Sequence, residues 1–131
     1  MGKRILIIED NEQNLYLTVF ILEKAGHEVV AARSGPEGIA AARQVRPDLI
    51  VLDIQLPGMD GYTIARELRK NMKLREVPIV AVTSYAMVGD REKALESGCS
   101  GYIEKPINPA TFLDEITCFF PAPHTLRGEE R

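Results

Sequence analysis

The chain has 131 residues, 45% of them hydrophobic and 27% charged, with a formal net charge of −3. That suits one globular domain and excludes a wholly disordered chain. The acidic balance lacks the basic bias of a direct nucleic-acid binder, no apolar run reaches the roughly 18 residues of a membrane span, and the apolar run after Arg4 is too short for a signal-peptide core.

The first predicted strand is Ile5–Ile8. A helix over 12–25 follows, with Leu15, Val19 and Leu22 on one face and Gly26 as its stop. A second strand, Val29–Ala32, leads to a helix over 35–45, where Ser34 and Glu37 have capping-box spacing. The third strand is Leu49–Leu52, and the third helix, over 61–72, places Ile64, Ala65, Leu68 and Met72 on one face. The fourth strand, Ile79–Val82, precedes a weaker helix over 87–97 that ends at Gly98; Met87-Val88-Gly89-Asp90 is a poor start, so that end is expected to be mobile. A weaker strand, Gly101–Ile103, is followed by a helix over 109–120, with Pro109 after an Asn108 cap. Runs one, three and four do not alternate with polar residues, the pattern of strands covered on both faces. Strand and helix alternate five times, which implies an α/β fold with an open, doubly wound parallel sheet.

Residues 1–120 are expected to form the domain and 121–131 a short flexible tail. The last helix carries Phe112, Phe119 and Phe120, which read either as a wide core face or as a partner or homodimer surface. His27 and His124 are expected to be solvated, and Cys99 and Cys118 to be reduced thiols in a cytoplasmic protein.

Open α/β sheets bind ligands at the carboxyl ends of their strands. Glu9 and Asp10 follow the first run, Asp53 the third, Thr83 and Ser84 the fourth, and Glu104, Lys105 and Pro106 the fifth. Each has a local explanation. Asp10 reads as a helix cap with Gln13 completing a capping box, Asp53 and Thr83 as caps, and Lys105 as a surface lysine. Their convergence on one rim is harder to explain locally. Three carboxylates in one cleft repel one another unless a cation compensates. Hard oxygen donors without nearby His or Cys suit Mg²⁺, which commonly serves a phosphoryl group. Asp53, at the end of the most apolar central strand, is the candidate nucleophile for an aspartyl phosphate.

These residues resemble the receiver domain of bacterial two-component response regulators over about residues 3–120. The resemblance rests on Glu9-Asp10, on Asp53 within Leu52-Asp53-Ile54-Gln55-Leu56-Pro57-Gly58-Met59-Asp60-Gly61, on Thr83, and on Lys105-Pro106, in order and at family spacing. Glu9-Asp10-Asn11-Glu12, Asp53-Ile54-Gln55-Leu56-Pro57 and Lys105-Pro106-Ile107 are most similar to single-domain regulators of the DivK cell-division type.

The resemblance implies a five-stranded flavodoxin-like sheet of order 2-1-3-4-5 with five helices. It implies that Asp53 accepts phosphate from a sensor histidine kinase or a histidine phosphotransfer protein, as a switch rather than a multiple-turnover enzyme. Glu9, Asp10, Asp53 and the backbone carbonyl of Gln55 would hold Mg²⁺. Lys105 and Thr83 would meet the phosphoryl oxygens, and Tyr102 would move with Thr83 as the switch. A cis Lys105–Pro106 bond is implied, as is readout by protein contacts on the face of helix 4, strand 5 and helix 5, or onward transfer in a phosphorelay. Ser84 stands where a smaller alanine is usual, and Gln55 and Tyr85 where the family tunes water access; neither is an acid, so slow self-dephosphorylation is expected. A haloacid-dehalogenase-type phosphatase would need an acid where Gln55 stands, and a flavin or nucleotide carrier a phosphate-binding loop where Glu9-Asp10-Asn11-Glu12 stands. A pseudo-receiver that only docks partners would not need the full residue set.

Overall fold

Two five-residue runs, Leu49–Asp53 and Ile79–Thr83, are buried at every position. They are β3 and β4, the centre of a parallel sheet completed by β1 (Arg4–Ile8), β2 (Glu28–Ala32) and β5 (Gly101–Glu104). The order is β2-β1-β3-β4-β5. The computed structural model describes residues 2–84 and 89–120. The expected tail over 121–131, His124, Tyr85 and the helix start at Met87-Val88 lie outside these residues.

The helices are α1 (Glu12–Lys24), α2 (Gly35–Val45), α3 (Gly61–Arg69), α4 (Asp90–Glu96) and α5 (Phe112–Thr117). Because β1, β3 and β4 are apolar on both sides, the sheet builds two cores. Leu6, Ile8, Ile50, Leu52 and Ala81 pack with Ala42 of α2, Ile64 and Leu68 of α3, and Ala94 of α4. Ile5, Ile7, Val51, Val80 and Val82 face the other way, onto Leu15 and Leu22 of α1 and Phe112 and Ile116 of α5. Burying each such side chain fully contributes roughly 1.5–3 kcal/mol, which is what holds the layers together.

Local chemistry sets the helix ends. Asn11, not Asp10, caps α1: its Oδ1 accepts from the Asn14 backbone N–H at 2.9 Å. Asp10 is therefore left free of capping duty. Ser34 caps α2 by accepting from Glu37 N–H, and the Glu37 carboxylate reaches one residue past the cap, to Arg33 N–H. At the end of α1, Gly26 has φ +96°, with Gly26 N–H bonded to Glu23 and His27 N–H to Leu22. That paired closure needs the left-handed conformation glycine adopts at little cost.

Three expectations shift. α3 stops at Arg69, because Asn71 caps a separate 3₁₀ turn, Met72–Leu74. Met72 is consequently exposed and Leu74 takes the buried place. α5 begins at Phe112, because the Asn108 side chain closes the preceding turn onto Ala110 N–H. His27 is half-buried: its Nδ1 accepts from Lys3 N–H at 3.0 Å and its ring meets Phe120.

Phe112 is fully buried, and Phe119 and Phe120 pack against the α1–α5 core. A Cβ on Gly101 would lie 2.4 Å from the Phe119 ring, so that glycine admits the ring. Among the described residues the exposed large apolar side chains are Tyr16, Phe20, Met72 and Leu95, none on α5. Phe112 thus belongs wholly to the core, and Phe119 and Phe120, just past α5, are half-buried against it.

Candidate functional site

In-register parallel strands end together. Ile8 pairs with Leu52, Asp53 with Val82, and Thr83 with Glu104. Glu9, Asp53, Thr83 and Lys105 therefore emerge side by side at one rim. Lys105 N–H donates to Thr83 carbonyl at 2.8 Å, which ties the ends of β4 and β5 together. The Lys105–Pro106 bond is cis.

One oxygen each from Glu9, Asp10 and Asp53 lie within 4.8 Å of one another. Glu9 and Asp53 are buried, at 5% and 3% exposure, whereas Asp10 is exposed. Lys105 Nζ sits 3.3 Å from Asp53 Oδ2 and 3.5 Å from Glu9 Oε1. The other oxygens are held by backbone. Gln55 N–H donates to Asp53 Oδ1 at 2.9 Å, and Asn11 N–H to Glu9 Oε2 at 3.1 Å. The turn after β3 thus orients the acceptor candidate, and the start of α1 orients its neighbour.

A single ammonium does not neutralise three carboxylates. Burial pushes the Glu9 carboxyl up to about 7, reinforced by its hydrogen bond to Asp53 and by that residue's charge; Asn11 N–H and Lys105 pull it back. A buried acid that resists ionising beside two others is a site suited to a divalent cation with oxygen ligands.

Thr83 is buried at the end of β4. Tyr102 lies opposite Ala81 on β5, partly buried against the α2–α4 core. The structure brings Glu9, Asp10, Asp53 and Lys105 into one cluster, with Thr83 on the adjoining strand end, and leaves Tyr102 on the neighbouring strand. Sequence reasoning missed two contributors. Asn11 both caps α1 and holds Glu9 through its N–H; its signal was an amide at the third place of Glu9-Asp10-Asn11, where asparagine caps as well as aspartate. The Gln55 side chain accepts from Ser84 N–H at 2.9 Å, a contact between two loops that no local spacing announces.

A family model described as the response regulator receiver domain matches residues 5–117. The chain belongs to this family, the phosphoacceptor switches of two-component signalling. Among its relatives is the polar-differentiation response regulator DivK of Brucella anthropi, 41% identical over 119 residues, which covers 91% of this chain and 97% of the relative. The DivK of Brucella abortus matches at the same identity and coverage. The chemotaxis response regulator CheY4 of Vibrio cholerae has the same fold, with a TM-score of 0.87 at 26% identity over 92% of this chain and 100% of that one. The receiver domain of a sensor histidine kinase from Pseudomonas aeruginosa matches with a TM-score of 0.82 at 34% identity, over 91% of this chain and 98% of its own; it was solved with a magnesium ion coordinated in its active-site cleft. No helix among the described residues is long and apolar enough to cross a membrane.

Proposed function

We propose that this chain is a response regulator whose domain, residues 1–120, accepts a phosphoryl group on Asp53 from the phosphohistidine of a sensor kinase or phosphotransfer protein. The observation that carries this is one cluster: a buried Asp53 carboxylate, with Lys105 Nζ at 3.3 Å and two further carboxylates within 4.8 Å. In the transfer an Asp53 oxygen bonds to phosphorus, the phosphorus–nitrogen bond to the donor imidazole breaks, and the imidazole leaves with the electron pair. Asp53 is positioned for attack by Gln55 N–H and Lys105. Lys105 then offsets negative charge on the transferred group.

Glu9, Asp10 and Asp53, with the backbone carbonyl of Gln55, would hold Mg²⁺, and the magnesium-bearing Pseudomonas neighbour supports that reading. When bound, the cation supplies charge neutralisation for incoming phosphoryl oxygens. Thr83, one strand over from Asp53, bonds the new group through its hydroxyl, and Tyr102 follows it as the switch. Phosphorylation adds nearly two negative charges and three strong acceptors at one point, sufficient to favour a second packing of the β4 and β5 ends. The altered surface is that of α4, β5 and α5, read by a protein partner, or the phosphoryl group is passed on in a relay. The chain takes part in its own phosphorylation and slow dephosphorylation without being a multiple-turnover enzyme.

The test needs no partner. Incubation with Mg²⁺ and acetyl phosphate should add the mass of one phosphoryl group to the wild type and none to Asp53→Asn or to metal-free protein. Equal labelling of Asp53→Asn overturns the assignment.

A further inference from the structure

The Gln55 side chain has a job separate from its backbone. Its N–H donates to Asp53 Oδ1 at 2.9 Å, and its Oε1 accepts from the backbone N–H of Ser84 at 2.9 Å. One residue therefore grips both the acceptor carboxylate and the first residue beyond β4. Asp53 pairs with Val82, so Ser84 N–H stands just past the acceptor's neighbours on the same rim. An anion attached to Asp53 meets a rim whose donors include Lys105 Nζ, the Thr83 hydroxyl, Gln55 N–H and, if it is released, Ser84 N–H. The acceptor now holding that last donor is a neutral carboxamide at the solvent edge: Gln55 is half-buried and Ser84 exposed.

We propose that the Gln55 carboxamide is a latch: it occupies the Ser84 amide while Asp53 is unmodified, and gives it up to a phosphoryl oxygen when Asp53 is loaded. The inference rests on Asp53 as the acceptor and deepens that reading. A phosphoryl dianion is a much stronger acceptor than a carboxamide, so the exchange replaces a neutral hydrogen bond with a charge-assisted one. The released carboxamide turns to water, and no buried polar group is left without a partner. Gln55 is thus a positioning residue with two effects. It holds the start of the β4–α4 connection in its resting place, and it opposes loading by the strength of one neutral hydrogen bond. Because the same residue binds Asp53 Oδ1, the acceptor and the connection are linked through a single side chain and its own backbone.

The test uses ¹⁵N-labelled full chain, with Mg²⁺ and beryllofluoride as the phosphoryl mimic. Gln55→Met keeps the length of the side chain and removes the acceptor; Gln55→Asn keeps the amide and shortens its reach. Neither touches the backbone N–H that holds Asp53. Without the mimic, Ser84 amide exchange should be about fivefold faster in both variants than in wild type, the scale of one lost neutral hydrogen bond. Beryllofluoride should bind both variants about fivefold more tightly on the same scale. In the loaded state the Ser84 amide should be equally protected in all three proteins. Unchanged Ser84 exchange, or binding that is unchanged or weaker, overturns the latch. If wild type takes up no beryllofluoride, the acceptor reading falls and the latch falls with it; if wild type loads and the variants match it, the latch alone falls.

Discussion

The ammonium of Lys105 bridges two acids from different strand ends, 3.3 Å from Asp53 Oδ2 and 3.5 Å from Glu9 Oε1. It is the only cation paired with that cluster among the described residues, and it is outnumbered by the carboxylates it serves.

A pH dependence follows. The folded-state pKa of Glu9 is raised from 4.5 to about 7, so the folded protein holds this proton more tightly than the unfolded chain does. Without divalent cations, stability should decline as pH rises from about 4.5 through about 7 on account of this group, by roughly 1–3 kcal/mol. Mg²⁺ favours the ionised form and should stabilise more at pH 8 than at pH 5. Urea unfolding at both pH values, with and without Mg²⁺, checks this. Glu9→Gln should lose both the decline and most of the magnesium effect; a decline that persists in Glu9→Gln belongs to another group.

Arg69, the last residue of α3, ties that helix to the stretches that lead into β4 and β5. Its Nε donates to Gly98 carbonyl at 2.8 Å, and its Nη1 to Leu74 and Val77 carbonyls at 2.6 and 2.7 Å. Burial lowers its pKa, yet it stays charged, because guanidinium loses its proton only far above neutral pH. Arg69→Met strands several carbonyls at once and should cost about 2–4 kcal/mol in urea unfolding. Arg69→Lys should not restore the loss, since a single ammonium lacks the planar fork that spans these acceptors. A loss below about 1 kcal/mol would show that water replaces the guanidinium freely.

The lifetime of the phosphoryl group is a separate expectation. Among the described residues, the turn after Asp53 offers a neutral amide, Gln55, at the position where an acid would be needed to take a proton from an attacking water. Loaded protein, freed of acetyl phosphate and kept in Mg²⁺, should dephosphorylate over minutes or longer. Decay within seconds contradicts this reading of the turn.

The strands were the most legible part of the sequence, because apolar runs such as Ile5–Ile8 and Ile79–Val82 bury both faces and cannot be mistaken for amphipathic helix. Their order came from the resemblance; periodicity alone does not say which strands are neighbours. Helix ends were less legible. Asp10 and Asn11 are both good caps, and which one serves depends on the angle at which the chain leaves β1. Asn71 ended α3 earlier than the apolar spacing through Met72 suggested, because its side chain caps a new turn. At the site, Glu9, Asp10, Asp53, Thr83 and Lys105 were readable because each stands at, or within two residues of, the carboxyl end of a strand. The Gln55–Ser84 bond was not, because it joins residues 29 positions apart through side-chain reach.

The most direct measurement is chemical mapping of the phosphoryl group itself. Protein loaded with acetyl phosphate and Mg²⁺ is reduced with borohydride, which converts an aspartyl phosphate to homoserine, then digested and sequenced by mass spectrometry. Homoserine is expected at position 53 alone, and none when Mg²⁺ is withheld. Modification at Asp10 or elsewhere with Asp53 intact, or labelling that does not need Mg²⁺, would contradict this expectation.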